Sequence, residues 1–497
     1  MSAFEAQSGG DWTGAIDACV LAAIERQGIE PAGLCSDEVF VRRVHVDLIG
    51  TLPQPAELRA FRDDRRPDKR LRLVDALLER DEYADYWALR WCDVLRVKSE
   101  FPINLWPNAV QAYHRWIRDA VRTNKPCDVF ARELLTASGS NFRVPPVNFY
   151  RAVQGREPSG IAQAVALTFM GTRIEPWPAE KRANLAVFFS RIAFKPTAEW
   201  KEEIVHLDPT PIEPYDAVLP DGRSVRILSE QDPRRVFADW LISPSNPYFA
   251  ANIVNRLWAW LFGRGIVHEC DDMRPDNPPS NPELLDLLAA ELVKARYDLK
   301  RMLRLICGSR TYQQSAIPRS EHPQAEALFA CYPVRRLDAE VLIDALFMLF
   351  GGGETYTSLI PEPFTFIPRH NRTIALADGS ITSPFLEMFG RPTRDTGLVA
   401  ERNNAPTDAQ RLHLLNSTQI QRMIETSPKL RQWIAAARNN RPELVRQVYV
   451  NILSRQPTRE ELADAEGYLQ TRGLRLDHAA NDLVWALINS KEFLYRH

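Results

Sequence analysis

Long apolar runs and an excess of charge of one sign are both missing from this 497-residue chain. No stretch approaches the roughly 18 consecutive apolar residues that a membrane-spanning helix needs, so no transmembrane segment is expected. The 62 basic and 64 acidic residues are well mixed and leave a net charge of −2. This balance argues against nucleic acid or an anionic membrane as the main partner. Hydrophobic residues make up 45% of the chain, which is typical of a soluble globular protein.

Cysteine is scarce, and its spacing matches neither a metal site nor a disulfide framework. The seven cysteines are scattered, and no two form a Cys-x-x-Cys pair. This distribution predicts reduced, mostly buried thiols rather than a disulfide framework.

The N-terminal sequence MSAFEAQSGGDWTG lacks the two features of a secretory signal. It has neither a basic stretch nor an apolar stretch, so no signal peptide is expected. Two interpretations stay open: the protein remains inside the cell, or the start of an exported precursor is missing.

The motifs of the common enzyme classes are also missing. The chain contains no G-x-S-x-G, no H-E-x-x-H, no P-loop and no G-x-G-x-x-G fingerprint. The sequence therefore does not point to a reaction through any of these motifs.

Helical periodicity dominates what is present. Apolar residues recur at helical spacing over residues 68–97, 109–124, 281–309 and 443–497, and Asn281 or Ser280 can cap the third of these segments. Pro-Asp-Gly within residues 217–228 predicts a short hairpin. The expected fold is mainly α, with a multi-helical two-part architecture and this one hairpin.

Composition divides the chain into two helical parts. Residues 206–230 are rich in proline and poor in helical periodicity, which is typical of a linker. We therefore expect an N-terminal domain over 13–205 and a C-terminal domain over 231–497. Within the second domain, residues 351–404 are predicted to be irregular and 443–497 to form a helical module.

An internal repeat relates the two ends of the chain. VHVDLIGTLPQPAEL (44–58) aligns with VYVNILSRQPTREEL (448–462), and LVDALLERDEY (73–83) aligns with LVWALINSKEF (483–493). In both copies Pro and then Glu follow the first helix, which suits the start of a second helix. The repeat predicts two related helical modules that pack near each other, and a scaffold role is favoured over a paired active site.

The densest polar cluster lies in residues 252–286. Its candidate ligand-binding and catalytic residues are Asn255, Arg256, His268, Asp271, Asp272, Arg274 and Asn277. The two aspartates could bind a divalent cation or act as general acid and base. They could instead pair with the arginines in a structural network, which is the favoured interpretation. His268 and Cys270 lack the second pair of ligands that zinc needs, so no metal site is expected.

Two arginine-rich segments offer further candidates. Arg335 and Arg336 precede a helix that carries Asp338 and could clamp a carboxylate or phosphate. Ion pairing between domains is the favoured alternative. Glu401 and Arg402, in a loop over 389–404, have the same ambiguity, and Glu401 joins the two aspartates as a catalytic candidate.

Large aromatic residues are concentrated in residues 90–116. Trp106 and four other aromatic side chains lie near basic residues there. Such side chains could stack on sugars, although at helical spacing large aromatics more often belong to a core.

Several of these segments together resemble a known pair of domains. VFVRRVHVDLIGTLPQPAELRAF, DKRLRLVDALLERDEYADYW and ALTFMGTRIE resemble the cytochrome-associated domain of unknown function (PSCyt type) first described as planctomycete-specific. NPYFAANIVNRLWAWLFGRGIVHECDDMRPDNPPSNPELLDLLA, YPVRRLDAEVLIDAL and FLEMFGRP resemble the domain of unknown function (PSD type) that habitually follows it. The resemblance covers about residues 13–497. It implies a large helical bacterial protein, typically exported, with a suspected role in polysaccharide breakdown or surface redox chemistry.

Two departures from this resemblance bear on cofactors. Many relatives place Cys-x-x-Cys-His after the GTRIE-like segment, whereas this chain has Pro176-Trp177-Pro178-Ala179-Glu180. Covalent attachment of heme needs both thiols and the histidine, so no c-type heme is expected. Many relatives also carry cysteines between GRP and ER, and residues 396–400 have none.

Two hypotheses about function follow. The first is a non-redox binding or scaffold component of an envelope-associated system, linked to polysaccharide and partnered by that polysaccharide or by another envelope protein. The alternative is a hydrolase- or lyase-like enzyme that acts on complex carbohydrate, with Asp271, Asp272 and the Arg335/Arg336 region as its polar centre.

Overall fold

Helices form most of the protein, as the periodicity predicts. The computed structural model describes residues 3–6, 12–368, 371–438 and 440–497. The helices before the predicted linker are α1 (Ala15–Arg26), α2 (Asp37–Ile49), α3 (Pro55–Asp63), α4 (Lys69–Leu78), α5 (Asp81–Val94), α6 (Pro107–Arg122), α7 (Cys127–Thr136), α8 (Asn148–Arg151), α9 (Pro158–Val165) and α10 (Ala179–Val187). A π-helical turn, Ala166–Met170, extends α9.

The helices after residue 230 continue the same pattern. They are α11 (Pro233–Leu241), α12 (Phe249–Phe262), α13 (Pro282–Lys294), α14 (Leu299–Gly308), α15 (Ala339–Phe350), α16 (Pro384–Met388), α17 (Asp408–Asn416), α18 (Thr418–Glu425), α19 (Pro428–Ala436), α20 (Arg441–Leu453), α21 (Arg459–Leu469), α22 (Leu476–Ile488) and α23 (Lys491–Leu494). Asn281 caps α13 by accepting a hydrogen bond from the main-chain N–H of Leu284 at 3.0 Å. The predicted cap is thereby confirmed.

The strands are few and short. They are β1 (Gly139–Ser140), β2 (Ile192–Pro196), β3 (Glu203–Leu207), β4 (Tyr215–Val218), β5 (Ser224–Ile227), β6 (Arg335–Arg336) and β7 (Tyr495–Arg496), and all pair antiparallel. The β4–β5 hairpin confirms the prediction from Pro-Asp-Gly, with Ala217 opposite Val225. The sequence analysis did not find the β1–β3–β2 sheet or the β6–β7 pair.

The hydrophobic core runs through both parts of the chain. A single cluster of buried apolar side chains extends from Ile16 to Phe493. At its centre, Trp260 of α12 meets Trp87 and Trp91 of α5 edge to face, with ring centroids 5.7 and 5.6 Å apart. The aromatic spacing in α5 therefore serves packing. The predicted boundary at 206–230 stays a prediction.

The two end modules have the same local geometry. Gly50 ends α2 and Ser454 ends α20, and both residues adopt the left-handed conformation. Glu57 and Glu461 each accept a hydrogen bond from the main-chain N–H at the start of the following helix, at 2.7 Å in both cases. Arg42 of α2 donates to the carbonyl of Ile452 at 2.8 Å. The modules are therefore related and in contact, as the repeat predicts.

In each module one arginine bridges two glutamates, an arrangement that we call the arginine clip. The two arginines occupy different positions of the repeat. Arg80 binds Glu57 and Glu82 in the first module. Arg455 binds the equivalent pair, Glu461 and Glu492, in the second. In the alignment Arg455 corresponds to Thr51, and Arg80 corresponds to Ser490. Both modules therefore have the same cluster of one arginine and two glutamates, although the arginine stands at a different position of the repeat in each.

Candidate functional site

A cavity of about 620 Å³ lies where both parts of the chain meet. Its walls come from α5, the loop after α12, strands β6 and β7, and the segment 399–406. Its volume falls within the range of small-ligand sites in proteins. The charged side chains in its walls are Arg90, Asp93, His268, Glu269, Glu326, Arg335, Arg336, Asp338, Arg402 and Arg496.

Asp338 is a central acceptor of the cavity wall. It is 1% exposed and accepts hydrogen bonds from Arg90 at 2.5 Å and from Arg496 at 2.6 Å. Asn404 donates to its second oxygen at 2.7 Å. Burial alone would raise its pKa, but Arg90, Arg496 and Arg402 hold the pKa of Asp338 well below its usual range. Asp338 is therefore ionised at neutral pH.

Asp47, a residue of the first repeat module, supports the same wall from behind. Its side chain is buried and binds Arg335 at 2.9 Å and Arg496 at 2.8 Å. Tyr312 and Tyr332 donate to its other oxygen at 2.8 and 2.9 Å. These contacts fix Arg335 and Arg496 in place.

A second ion-pair cluster holds the segment 399–406. Arg402 lies 2.7 Å from Asp93 of α5 and 2.7 Å from Glu340 of α15. Arg394 binds Asp93 from the other side at 2.9 Å. Arg402 therefore connects the two parts of the chain at the edge of the cavity.

Arg336 is held differently from the other arginines of the cavity. It is 4% exposed and donates to the carbonyls of Phe389 at 2.5 Å and Asn403 at 3.4 Å, and to the side-chain oxygen of Gln410. Among the described residues no carboxylate forms an ion pair with it. Burial lowers the pKa of Arg336, as expected for a cation away from water.

Asn255 shapes the loop that forms one wall. Its side-chain oxygen accepts from the N–H of Val267 at 2.9 Å, and its amide donates to the Val267 carbonyl at 3.0 Å. Gly265 permits this approach, because a Cβ there would lie 3.0 Å from the Asn255 oxygen and 2.3 Å from the Val267 carbonyl. Asn255 is thus a support of the wall.

The three candidate catalytic carboxylates do not line the cavity. Asp271 is 1% exposed, pairs with Arg256 at 2.9 Å and accepts from the N–H of Val399 at 2.5 Å. Asp272 pairs with Arg274 at 2.8 Å. Both aspartates therefore pair with arginines, and their role stays a prediction.

Glu401 is held by its own loop. Its oxygens accept from the hydroxyls of Thr393 at 2.5 Å and Thr396 at 2.7 Å, and from the N–H of Asp395 at 3.0 Å. Burial acts to raise the pKa of Glu401, but these hydrogen-bond donors outweigh burial and lower the pKa. The Glu401 carboxylate therefore orders its own loop. Among the described residues it shares no hydrogen-bond partner with Asp271 or Asp272.

Of the predicted ligand-binding residues, the structure brings four to the cavity. These are His268, Arg335, Arg336 and Arg402. Arg256 and Asn255 lie behind its wall, Asn277 donates to the Asp272 carbonyl at 2.9 Å, and Arg274 remains with Asp272. Arg90, Asp93 and Arg496 also line the cavity and were not predicted from the sequence. A signal for Arg90 and Asp93 existed in their three-residue spacing on α5, which puts both on one helix face.

Part of the aromatic-rich segment is exposed. Trp106 lies 6.3 Å from Trp200 and 5.9 Å from Phe364 between ring centroids, and Trp200 is 69% exposed. Trp106 has φ 72° and ψ 147°, a backbone conformation that residues other than glycine rarely adopt. We call these three side chains the aromatic surface. In contrast, Tyr113 is fully buried, as expected for a core residue.

The turn that replaces the heme motif is a packed connector. Trp177 donates its main-chain N–H to Ile174 at 2.9 Å and packs against the core, with the Lys181 ammonium 4.1 Å from its ring centroid. Upstream, Gly171 is left-handed, and a Cβ there would lie 2.6 Å from the Asn252 side chain. The segment therefore fixes the π-helical turn to α12.

The described residues offer no cluster of metal ligands. Among them, no three His, Cys, Asp or Glu side chains are grouped so that they could hold a metal ion. All seven cysteines are unpaired, and five of them are buried, which confirms the predicted thiol state. The expected lack of metal and of c-type heme stays a prediction.

The fold and the site define the class of this protein. It is a mainly helical protein whose two parts meet at a pair of related end modules and at a charged cavity. Residues 15–184 match PSCyt2, described as a protein of unknown function (DUF1549). Residues 233–469 match PSD1, described as a protein of unknown function (DUF1553). The chain therefore belongs to the proteins that carry these two domains in this order, which confirms the resemblance. No curated protein and no solved structure matches it. In the described part of the chain no helix is long and apolar enough to cross a membrane.

Proposed function

We propose that this protein is a non-catalytic binding or scaffold component of an envelope-associated system linked to polysaccharide, and that the charged cavity is its ligand site. The observation that carries the proposal is the cavity itself: it is open, polar and built from fixed arginines, while its buried carboxylates are already bound to arginine. Such a wall supplies hydrogen-bond donors for a ligand.

The protonation states of the wall favour binding over catalysis. A glycosidic bond is cleaved with the help of a carboxylic acid that keeps a proton near neutral pH. Asp338 has the opposite property, because arginines hold its pKa far below neutral. Burial and the nearby Asp271 raise the pKa of Cys270 to about 12, so its thiol is a poor nucleophile.

The aromatic surface supports the link to saccharides. Trp106, Trp200 and Phe364 expose apolar ring faces next to Lys201, whose ammonium lies 5.3 Å from the Trp200 centroid. Sugars present apolar C–H faces and polar rims, and rings beside hydrogen-bonding side chains match both. Exposed apolar patches of this kind commonly mark interaction sites.

The proposal is tested by screening the full chain against an array of neutral, carboxylated and sulfated glycans. Hits are then measured by calorimetry with the variant Ala405→Trp, since Ala405 is exposed and lines the cavity. We expect at least tenfold weaker binding, and unchanged binding for Ala60→Trp, an exposed control on α3. Failure to bind any glycan would overturn the proposal.

The enzyme alternative has its own outcome in this experiment. Besides Asp93 and Asp338, the carboxylates that line the cavity are Glu269 and Glu326, and both are exposed. Release of reducing ends from a bound glycan, abolished by Glu269→Gln without loss of binding, would establish a hydrolase. The same assay with Asp272→Ala tests the alternative as the sequence analysis framed it.

A further inference from the structure

We propose that the cavity binds the acidic group of a sugar, a carboxylate or a sulfate ester, at the guanidinium of Arg336. This inference rests on the proposed function of the cavity as a saccharide site. It adds the chemical class of the ligand, an acidic sugar rather than a neutral one. Arg336 lines the cavity from β6, next to Arg335.

No carboxylate among the described residues forms an ion pair with Arg336, and Asp338 acts on its charge only through space. The other cavity arginines, Arg90, Arg335, Arg402 and Arg496, each bind an aspartate or glutamate directly. In the described ranges Arg336 has only neutral acceptors, namely two carbonyls and one amide oxygen. A buried cation without a directly bound carboxylate is costly, so an anion that enters the cavity and contacts Arg336 is stabilised there.

The guanidinium also has unused hydrogen-bond donors. Its five N–H groups meet three acceptors among the described residues. The Nε atom is buried and has no partner within them. In the described part of the chain Arg90, Arg335 and Arg496 share this buried Nε without a partner, so the lack of an ion pair is what sets Arg336 apart. A planar guanidinium suits the paired oxygens of a carboxylate or sulfate better than a single sugar hydroxyl.

The ion-pair network in and behind the wall adds to the positive excess. Six guanidiniums share four carboxylates in it: Arg90, Arg335, Arg391, Arg394, Arg402 and Arg496 with Asp47, Asp93, Asp338 and Glu340. Glu269 and Glu326 also line the cavity, but they are exposed, and water screens their charge. The buried side of the cavity is therefore the side that attracts an anion.

Arg336 is held in one orientation before any ligand arrives. The β6–β7 pairing sets Arg336 opposite Tyr495, and the guanidinium lies 5.2 Å from the ring centroid of Phe389. A fixed donor group loses little conformational entropy on binding.

The first test uses sodium glucuronate, glucose 6-sulfate and glucose as probes of the full chain, by calorimetry at constant ionic strength. We expect one or both acids to bind and glucose to bind at least tenfold more weakly; the two acids separate a carboxylate ligand from a sulfate ligand. Arg336→Gln should weaken the acid at least tenfold and Arg336→Lys less, whereas Arg59→Gln, an exposed control on α3, should bind as wild type. Acid binding that survives Arg336→Gln would overturn the inference.

A second test does not depend on the folding of the Arg336 variants. Ala405→Glu and Ala405→Gln place a charged and a neutral side chain of equal size at an exposed position of the cavity. We expect the glutamate variant to bind the acid at least fivefold more weakly than the glutamine variant, and equal affinities would contradict the inference. If neutral glycans bind and acidic sugars bind no more tightly than neutral ones, the inference fails while the proposed function stands. If no glycan binds, the proposed function itself fails.

Discussion

Arg496 and Asp338 form a buried ion pair at 2.6 Å, and both side chains are 1% exposed. The pair joins the last strand of the fold to the start of α15, and Arg496 also binds Asp47 in the first repeat module. One guanidinium thus connects three distant segments of the chain. The stability of the cavity wall therefore depends on a few buried charges.

Acid should weaken the fold through Asp338. Its pKa is lowered in the folded protein, so its stabilising contribution is complete above the ordinary carboxyl pKa of about 4 and is lost as the pH falls below that value. We expect Asp338→Asn to lower the free energy of unfolding at pH 7 by about 3–5 kcal/mol. Urea unfolding at pH 7 and below pH 4 measures both effects. A mutant deficit that does not shrink in acid would contradict this account.

The Arg455 clip should matter more than a surface ion pair. The Arg455 side chain is 6% exposed and bridges Glu461 and Glu492, so Arg455→Ala leaves two carboxylates without their partner. We expect a loss of about 2–4 kcal/mol in the free energy of unfolding. Arg475→Ala is the control, because Arg475 is 74% exposed in its pair with Asp477 and should have no measurable effect. Similar losses for both variants would refute the distinction.

Gly390 should be far less replaceable than Gly222. Both have positive φ, 85° and 88°, so alanine suffers similar backbone strain at each. A Cβ at Gly390 would lie 1.8 Å from the carbonyl of Asn403, whereas nothing lies within 4 Å at Gly222. We expect about 1 kcal/mol of destabilisation for Gly222→Ala and at least about 3 kcal/mol for Gly390→Ala. Thermal unfolding of the two variants measures the difference, and equal melting temperatures would count against the packing shown.

Asp271 should prove to be a structural residue. It is buried against Arg256 and supports Val399 in the cavity wall, so Asp271→Asn should cost about 3–5 kcal/mol of stability. Asp276→Asn, at an aspartate whose side chain is 73% exposed, is the matched control and should unfold like wild type. Chemical denaturation provides the measurement. A stable Asp271→Asn protein that has lost turnover of a glycan would restore the catalytic interpretation.

Purified protein should show no covalently bound heme. Residues 176–180 offer no thiol and no histidine for attachment. Absorbance near the Soret band after acid extraction is the measurement. A band that stays with the polypeptide would show that another site holds the cofactor.

Local features followed from the sequence because their causes are local. The Asn281 cap and the hairpin at Ala217 depend on residues within a few positions of each other. The repeat also predicted the contact between the ends, since each module exposes an apolar face that needs a partner. The pairing of β1 was missed because β1 lies more than 60 residues before β3, the strand with which it pairs.

The sequence by itself determined the helical class, the two matched domains, the repeat and the absence of a heme-binding motif. Only the tertiary structure decided which charged residues share a site. Arg90 and Arg496 stand more than 400 residues apart and meet at Asp338, because ion pairing acts through space and the folded core sets the distances. The same packing buried Asp271 behind the wall and left Arg336 without an ion-pair partner in the described part of the chain, a difference that residue type alone does not encode.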